Sequence, residues 1–399
     1  MFKNKIIGGI LIISGTSIGG GMLGLPIITS ELGEFYTILL LFFSWGLMTI
    51  TAFLTLEVNL CFPQKSNIPS MMEKTLGNLG LIIGWSIYIL FLYSLLSAYI
   101  SGGTDIFQGF FIFLGLHLPY WFSGLFFAIF FGIIVMKGIS FVDKFNRFFM
   151  TIKILSLLFL IFFILLSNMN EHNFFPKKIL NIAPSISISI TSFGFSIVVP
   201  SLRTYFKDNI QSLKKVIFFG SLIPLFFYII WIHVIFSTIP LHGENGLIYI
   251  KNSLNPITTL IKSLHIITKN NRIHFFSHLF ISICIITAFL CVSLGLSDYI
   301  ADGISCEKKG IGFYIIAFIT FSPPLFLLLF FSNTFIYFLK IAGMLCILLQ
   351  AILPIFMSWK VRYHQKKIFF YQVFGGKTIL IISLTCSIII FIFSVNSLF

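Results

Sequence analysis

The chain has 399 residues, of which 58% are hydrophobic and only 10% are charged. Because soluble domains carry about 25% charged residues, this composition excludes an ordinary soluble enzyme, a disordered chain and a nucleic-acid-binding domain. The composition is that of a membrane protein, so the formal net charge of +14 must be explained by where the basic residues lie relative to the membrane.

Eleven stretches are long and apolar enough to be transmembrane helices, which need about 20 residues each. They follow one another without a soluble module, so residues 1–399 are predicted to form a single membrane domain. The first stretch lacks a small-x-small cleavage site and is predicted to be a span and not a removable signal peptide. The spans are predicted near 6–28, 35–60, 80–102, 121–137, 149–167, 184–202, 213–239, 274–300, 311–331, 334–357 and 377–397.

The basic residues predict the orientation of these spans. Eighteen of the 26 Lys and Arg residues lie on the N-terminal side of the membrane, six on the opposite side and two within spans. Positive loops stay in the cytoplasm, so the N-terminus is predicted to be cytoplasmic and, with eleven spans, the C-terminus periplasmic.

Two of the loops are predicted to carry helices. Residues 66–79 indicate a short interfacial helix on the inner side, capped by Ser70. Residues 240–273 contain several Pro and Gly residues and indicate a partly helical cap on the outer side.

Spans 1 and 6 are predicted to be broken at mid-membrane. Residues 15–24 contain five glycines, and each glycine disfavours helix by about 1 kcal/mol relative to alanine. Residues 190–200 combine small polar residues with Gly194 and end in Pro200. Since paired broken helices are typical of transporters built from inverted repeats, we expect helices 1–5 (1–167) and 6–10 (168–357) to form two repeats, followed by an inner loop and helix 11 (358–399).

Broken helices would supply the chemistry for a zwitterion. The half-helix that starts near Gly21 exposes N–H groups and a positive dipole end, which suit a carboxylate. Carbonyls at the ends of the first halves of spans 1 and 6 are free to accept from an ammonium group. The competing interpretation is that the glycines serve only close helix packing.

A few polar residues within the spans are weaker candidates. Lys153 on span 5 could bind a proton or stand where sodium sits in related carriers, or it could extend to the headgroups. Glu57 is expected to pair with inner basic residues, with a proton relay as the alternative. Tyr93, Ser97 and Thr287 could contact a substrate, although such residues more often serve packing.

Motifs along nearly the whole chain resemble the hydroxy and aromatic amino acid permeases, a bacterial family of the amino acid–polyamine–cation superfamily, and above all its tyrosine-specific members. The matching segments include Gly15–Pro26, Leu56–Val58, Ala98–Gly103, Phe141–Phe148 with Lys153 behind it, Thr191–Phe195, Leu294–Leu296 and Ile319–Phe321.

The resemblance implies a LeuT-like fold with eleven helices in the bacterial inner membrane, uptake driven by the proton gradient, and substrate held by broken helices 1 and 6. Two departures are Ser196, where members often have His, and Lys340, which has no counterpart. The substrate residues implied are Thr16, Ser17, Gly19, Gly20, Gly21, Ser192, Phe193, Gly194 and Phe195, with Lys153 as the coupling residue.

We therefore expect an importer of an aromatic amino acid, first L-tyrosine, with proton symport and alternating access. Tryptophan, phenylalanine, serine, threonine or branched-chain substrates remain alternatives, and sodium coupling remains open. The metalloprotease motif H-E-x-x-H is absent, and the six cysteines form no C-x-x-C pair, so neither an enzyme nor a metal or cofactor is expected. The expected partners are the amino acid and the lipid bilayer, with no nucleic acid and no obligate protein partner.

Overall fold

The computed structural model is helical in all its regular elements, and it describes residues 2–64, 66–166, 182–253, 255–304, 306, 308–330, 334–365 and 370–396. The predicted boundary between the two repeats, at 167–168, lies outside these residues. The helices are α1 (Phe2–Ser17), α2 (Gly20–Ile28), α3 (Gly33–Leu60), α4 (Ile68–Phe113), α5 (Tyr120–Met136), α6 (Ile139–Leu165), α7 (Ala183–Ser192), α8 (Val199–Phe206), α9 (Ile210–Thr238), α10 (Leu247–Asn252), α11 (Pro256–Thr268), α12 (Asn271–Gly303), α13 (Ile311–Phe330), α14 (Thr334–Cys346), α15 (Leu353–Trp359) and α16 (Gly376–Asn396).

The helices are those of a multi-pass membrane protein. Within the described ranges, nine helical runs are long and apolar enough to cross a bilayer, and the bent pair α1–α2 makes a tenth. Large apolar side chains such as Phe113, Phe318 and Phe330 stand on the outer surface of the bundle, where 86%, 72% and 67% of each is exposed. Each of the eleven predicted stretches overlaps a helix, but α5 has 17 residues, fewer than the ~20 of a usual span.

The segment before span 3 is helical, but its cap differs from the prediction. α4 begins at Ile68, and the side chain of Asn67, not Ser70, caps it by accepting from the Ser70 N–H at 3.0 Å. Asn67 has extended backbone angles, as a capping residue requires. Gly77 then takes φ +78°, a conformation that glycine adopts without strain, and this turn separates the short helix from the long one.

The loop between spans 7 and 8 forms a helical cap, as predicted. α10 and α11 lie in it, and they bury Leu247, Ile250 and Leu260 against the bundle. Lys251 on α10 donates to Glu31 at 2.8 Å, which ties the cap to the far end of span 1.

The two broken spans lie next to each other in the bundle. α2 packs directly on α7, while α3, α14 and α16 surround α7 and α9 packs along α1. α4 and α12 pack on each other. α12 also packs on α6, and α4 also packs on α14. The breaks in spans 1 and 6 are therefore enclosed by protein on several sides.

A buried ion pair joins three elements at the end of the bundle where basic residues are concentrated. Arg362 donates to both carboxylate oxygens of Glu57, at 2.6 and 2.5 Å, and both side chains are almost fully buried. The Val373 N–H adds a third hydrogen bond to Glu57 at 2.8 Å. The predicted pairing of Glu57 with a basic residue is confirmed. The pair links α3 to the end of span 10, and the Val373 N–H links it to the segment before α16.

Replacing Arg362 by Met should lower the free energy of unfolding by about 3–5 kcal/mol, because it leaves the Glu57 carboxylate buried without a cation. The double variant Glu57→Met/Arg362→Met should regain part of this loss. Melting temperatures of the detergent-purified proteins measure both effects.

The matched control is Asp298→Asn, which removes the exposed ion pair between Asp298 and Lys308. Exposed pairs contribute about 0–1 kcal/mol, so this variant should melt close to the wild type. Equal destabilisation by Arg362→Met and Asp298→Asn would contradict the role of the buried pair.

Candidate functional site

The break in span 1 lies where its glycines are densest. α1 ends at Ser17, α2 begins at Gly20, and the two halves differ in direction by 46°. A Cβ atom on Gly20 would lie 2.4 Å from Cε1 of Tyr99, far inside van der Waals contact. Only glycine fits under this ring, and the first N–H groups of α2 have no acceptor within their own helix.

The break in span 6 spans three residues. α7 ends at Ser192, residues 193–195 are outside any helix, and a short 3₁₀ turn, Ser196–Val198, leads into α8. Pro200 lies in the first turn of α8. A backbone N–H there would have no acceptor within the helix, so proline costs no hydrogen bond at this position. Phe193 and Phe195 are fully buried, so the irregular backbone is enclosed by protein, as a membrane interior requires.

The two breaks touch each other. A Cβ atom on Gly21 would lie 2.8 Å from Oγ and 3.2 Å from Cα of Ser192. The start of α2 and the end of α7 thus lie in direct contact, which brings the first N–H groups of one helix close to the last carbonyl groups of the other. This contact is the central feature of the site.

Tyr228 on α9 joins both breaks through one hydroxyl group. Its oxygen lies 2.6 Å from the Ser17 carbonyl oxygen and 2.8 Å from the Ser192 carbonyl oxygen. A hydroxyl has one proton to donate, so the two carbonyls share it. The ring is fully buried and packs edge-on against Phe193, with 5.2 Å between ring centroids.

Lys153 reaches the same place from span 5. Its side chain is 1% exposed, and its ammonium donates to the carbonyl of Ile18 and to Oγ1 of Thr287, the latter at 3.4 Å. The structure therefore places Lys153 against the break of span 1 and the middle of span 8, and not at the headgroups. Thr287 is its partner on α12.

The remaining predicted residues divide into two groups. Gly19 and Ser97 are buried, and the Ser97 hydroxyl has no partner among the described residues, as is also true of Ser17. Thr16 is exposed, and its hydroxyl donates to the carbonyl of Ile12 in its own helix. Tyr93 also lies apart, since its hydroxyl donates to the Ile319 carbonyl on α13 at 2.7 Å.

Two polar residues of the site were not predicted. Tyr228 gave no signal, because tyrosine is common in these spans. Gln350 stands in the middle of span 10, and an amide at that depth was a usable signal that sequence analysis passed over. It is fully buried and contacts Ser196 at the end of the span 6 break.

The sequence matches the family model of the tryptophan/tyrosine permeases over residues 2–394. The chain belongs to that family. The permease is 32% identical over 395 residues to tyrosine-specific transport system 1 of Haemophilus influenzae, with 97% of this chain and 96% of the relative covered. It is 29% identical over 370 residues to the tryptophan-specific transport protein of Pseudomonas aeruginosa, with 89% and 86% covered.

A solved structure shares the fold of the permease. MhsT in complex with L-phenylalanine superposes with a TM-score of 0.63 at 14% sequence identity and covers 98% of both chains. The resemblance to an amino acid permease family with a LeuT-like fold is thus confirmed, and the chain is a membrane transporter and not an enzyme.

Replacing Tyr228 by Phe should destabilise the permease by about 1–3 kcal/mol, the cost of leaving a buried polar group unpaired. The ring keeps its packing, so the loss reports on the shared hydroxyl alone. Thermal unfolding of the purified protein measures it, and Tyr93→Phe is a control that removes a tyrosine–carbonyl bond outside the site. Saturating substrate should raise the melting temperature of Tyr93→Phe as much as that of the wild type, but that of Tyr228→Phe by a different amount. The same increase in all three proteins would contradict the assignment of Tyr228 to the site.

Proposed function

We propose that the permease imports an aromatic amino acid, with L-tyrosine as the first candidate, by proton symport and alternating access. The observation that carries this proposal is the contact between the two helix breaks at Gly21 and Ser192. It brings the first N–H groups of α2 next to the last carbonyls of α7, an arrangement that would suit the two charged groups of an amino acid. The relatives named for tyrosine and tryptophan transport support the choice of an aromatic substrate.

The carboxylate of the substrate would bind at the start of α2. The N–H groups of Gly20 and Gly21 are unpaired within their helix, and the helix dipole favours a negative charge there. Glycine at these positions lets a ligand approach the backbone closely.

The ammonium group of the substrate would bind at the carbonyls that end α1 and α7. Tyr228 supplies one proton for the carbonyls of Ser17 and Ser192, so these oxygens keep accepting capacity. An ammonium has three N–H donors, which suits carbonyls converging from two helices.

The aromatic ring of the substrate would find apolar walls around the breaks. Tyr99 stands over Gly20 at the break in span 1, while Phe193 and Phe195 are buried at the break in span 6. Aromatic rings pack well edge-to-face, as the existing contact of Phe193 with Tyr228 illustrates.

Proton coupling would act through Lys153. When charged, its ammonium attracts the Ile18 carbonyl and so ties span 5 to the unwound part of span 1. Loss of the proton weakens that tie, which would allow α1 to move relative to α6. Buried ionisable groups of this kind are typical of proton relays in transporters.

We propose eleven crossings and a 5+5 inverted repeat for the architecture. The helix contacts support this repeat. Where two spans contact each other, the two spans that lie five places away from them in the chain order largely do so as well. Span 5 packs on span 8 (α6 on α12) as span 10 packs on span 3 (α14 on α4), and span 1 packs on span 7 as span 6 packs on span 2. Placement in the inner membrane with a cytoplasmic N-terminus follows from the charge pattern.

Purified permease in liposomes should accumulate labelled tyrosine when the outside is made acidic, and adding sodium should not increase uptake. Gly20→Val should abolish binding and uptake, because its side chain would collide with Tyr99. The matched control is Gly295→Ala, since a Cβ there would meet nothing within 4 Å. Uptake that ignores the gradient would remove the proton coupling, and retained binding in Gly20→Val would remove the span 1 site.

Lys153→Gln should separate exchange from accumulation. The neutral amide can still donate to Ile18, so exchange of internal for external tyrosine should continue, whereas gradient-driven accumulation should fall to background. Parallel counterflow and pH-jump assays on the same liposomes measure the two activities. Accumulation at the wild-type level would show that the proton is carried elsewhere.

A further inference from the structure

Gln350 occupies an irregular part of span 10 next to the break in span 6. Residues Ile347–Ile352 form a π-helical segment between α14 and α15. Pro354 has no N–H to donate to the Gln350 carbonyl four residues earlier, so the α-helical pattern cannot continue through this point. Single π-helical segments are frequent at functional sites.

The orientation of the Gln350 amide is fixed by its neighbour. Its Oε1 atom accepts from the backbone N–H of Ser196 at 3.1 Å and from the Ser196 hydroxyl at 2.9 Å. Because a backbone N–H can only donate, the atom facing it must be oxygen, and the nitrogen must face the other way.

The Nε2 atom faces the unwound residue Gly194. A Cβ atom on Gly194 would lie 3.3 Å from this nitrogen and 3.1 Å from Sγ of Cys346. Nε2 is buried, and among the described residues no atom accepts a hydrogen bond from it. Leaving such a donor unpaired costs about 1–3 kcal/mol, and an acceptor oxygen at this position would recover that free energy.

We infer that Gln350 is a specificity-determining residue whose Nε2 donates to the phenolic oxygen of the transported amino acid, an inference that rests on the proposed function. In the proposed binding mode, the carboxylate of the substrate lies at Gly20 and Gly21, and its ammonium lies at the carbonyls of Ser17 and Ser192. Gln350 approaches α7 from the side of span 10, beyond the break. The phenolic oxygen lies at the far end of a rigid ring from the charged groups, where a single donor would meet it.

Such a donor discriminates among aromatic substrates. Phenylalanine has no oxygen on its ring, and the indole nitrogen of tryptophan donates but does not accept. A site built to bond a substrate hydroxyl rejects analogues that lack it, because its own polar group is then left unpaired. Gln350 would therefore favour tyrosine over both.

Gln350→Met tests this, because it keeps the length of the side chain and removes the donor. Uptake of labelled tyrosine and of labelled phenylalanine is measured on full-length protein in liposomes, giving a KM for each. The preference for tyrosine over phenylalanine should fall about tenfold or more in Gln350→Met, through weaker tyrosine binding, while phenylalanine transport stays near the wild-type level. Retained phenylalanine transport also shows that the variant folds.

Ser196→Ala is the matched control, since it removes the hydroxyl from Oε1 but leaves the Nε2 donor in place. It should preserve the preference for tyrosine. Gln350→Asn, whose amide is too short for both contacts, serves as the second variant if Gln350→Met is unstable, and it should also lose the preference. An equal loss of tyrosine and phenylalanine transport, or an unchanged preference for tyrosine, would overturn the specificity role of Gln350 but leave the proposed transport function intact. A wild-type protein that takes up no aromatic amino acid would overturn both.

Discussion

The membrane interior leaves backbone N–H and C=O groups no water to bond with, so every interruption of a helix there must be satisfied by protein or ligand. This constraint organises the centre of the permease. Spans 1 and 6 each leave the helical conformation for a few residues, at 18–19 and 193–195. Side chains from spans 5 and 7 donate to the carbonyls at these breaks: Lys153 to Ile18, and Tyr228 to Ser17 and Ser192. In the proposed binding mode, the substrate satisfies the remaining backbone groups.

At the basic end of the bundle, the buried charged side chains of Glu57, Arg203 and Arg362 are all paired within the protein. Arg203 donates to the carbonyls of Asn59 and Phe62 and to the carboxylate of Asp208. The Glu57–Arg362 pair lies at the same end, on the same helix as Asn59. α3 therefore holds together α8, the end of span 10 and the segment before α16.

Much of this was predictable from the sequence, because the strongest signals were local. Glycine clusters and apolar runs located the spans and both breaks, since helix propensity and burial in lipid act on short stretches of chain. The buried ion pair of Glu57 was also foreseen, although not its partner. The position of Lys153 was informative because a charged residue within a membrane span is rare and usually has a function or a partner.

Contacts across the bundle were beyond this kind of prediction. Tyr228 is 36 residues from Ser192 and 211 from Ser17, and nothing near it in the chain distinguishes it from other tyrosines. Asn67 caps α4 because the helix starts two residues before Ser70. The start of a helix depends on where the fold holds the preceding loop. Thr16 was assigned by motif, yet the turn of α1 directs it outward.

The shared proton of Tyr228 has a mechanical consequence. A hydroxyl rotates about its C–O bond without moving any heavy atom, so the hydrogen bond can pass from one broken helix to the other while the ring stays clamped by Phe193. In the proposed binding mode, a cation bound to one of these carbonyls would shift the hydrogen bond of the Tyr228 hydroxyl to the other carbonyl. Occupancy at one unwound segment would then change the hydrogen bonding at the other.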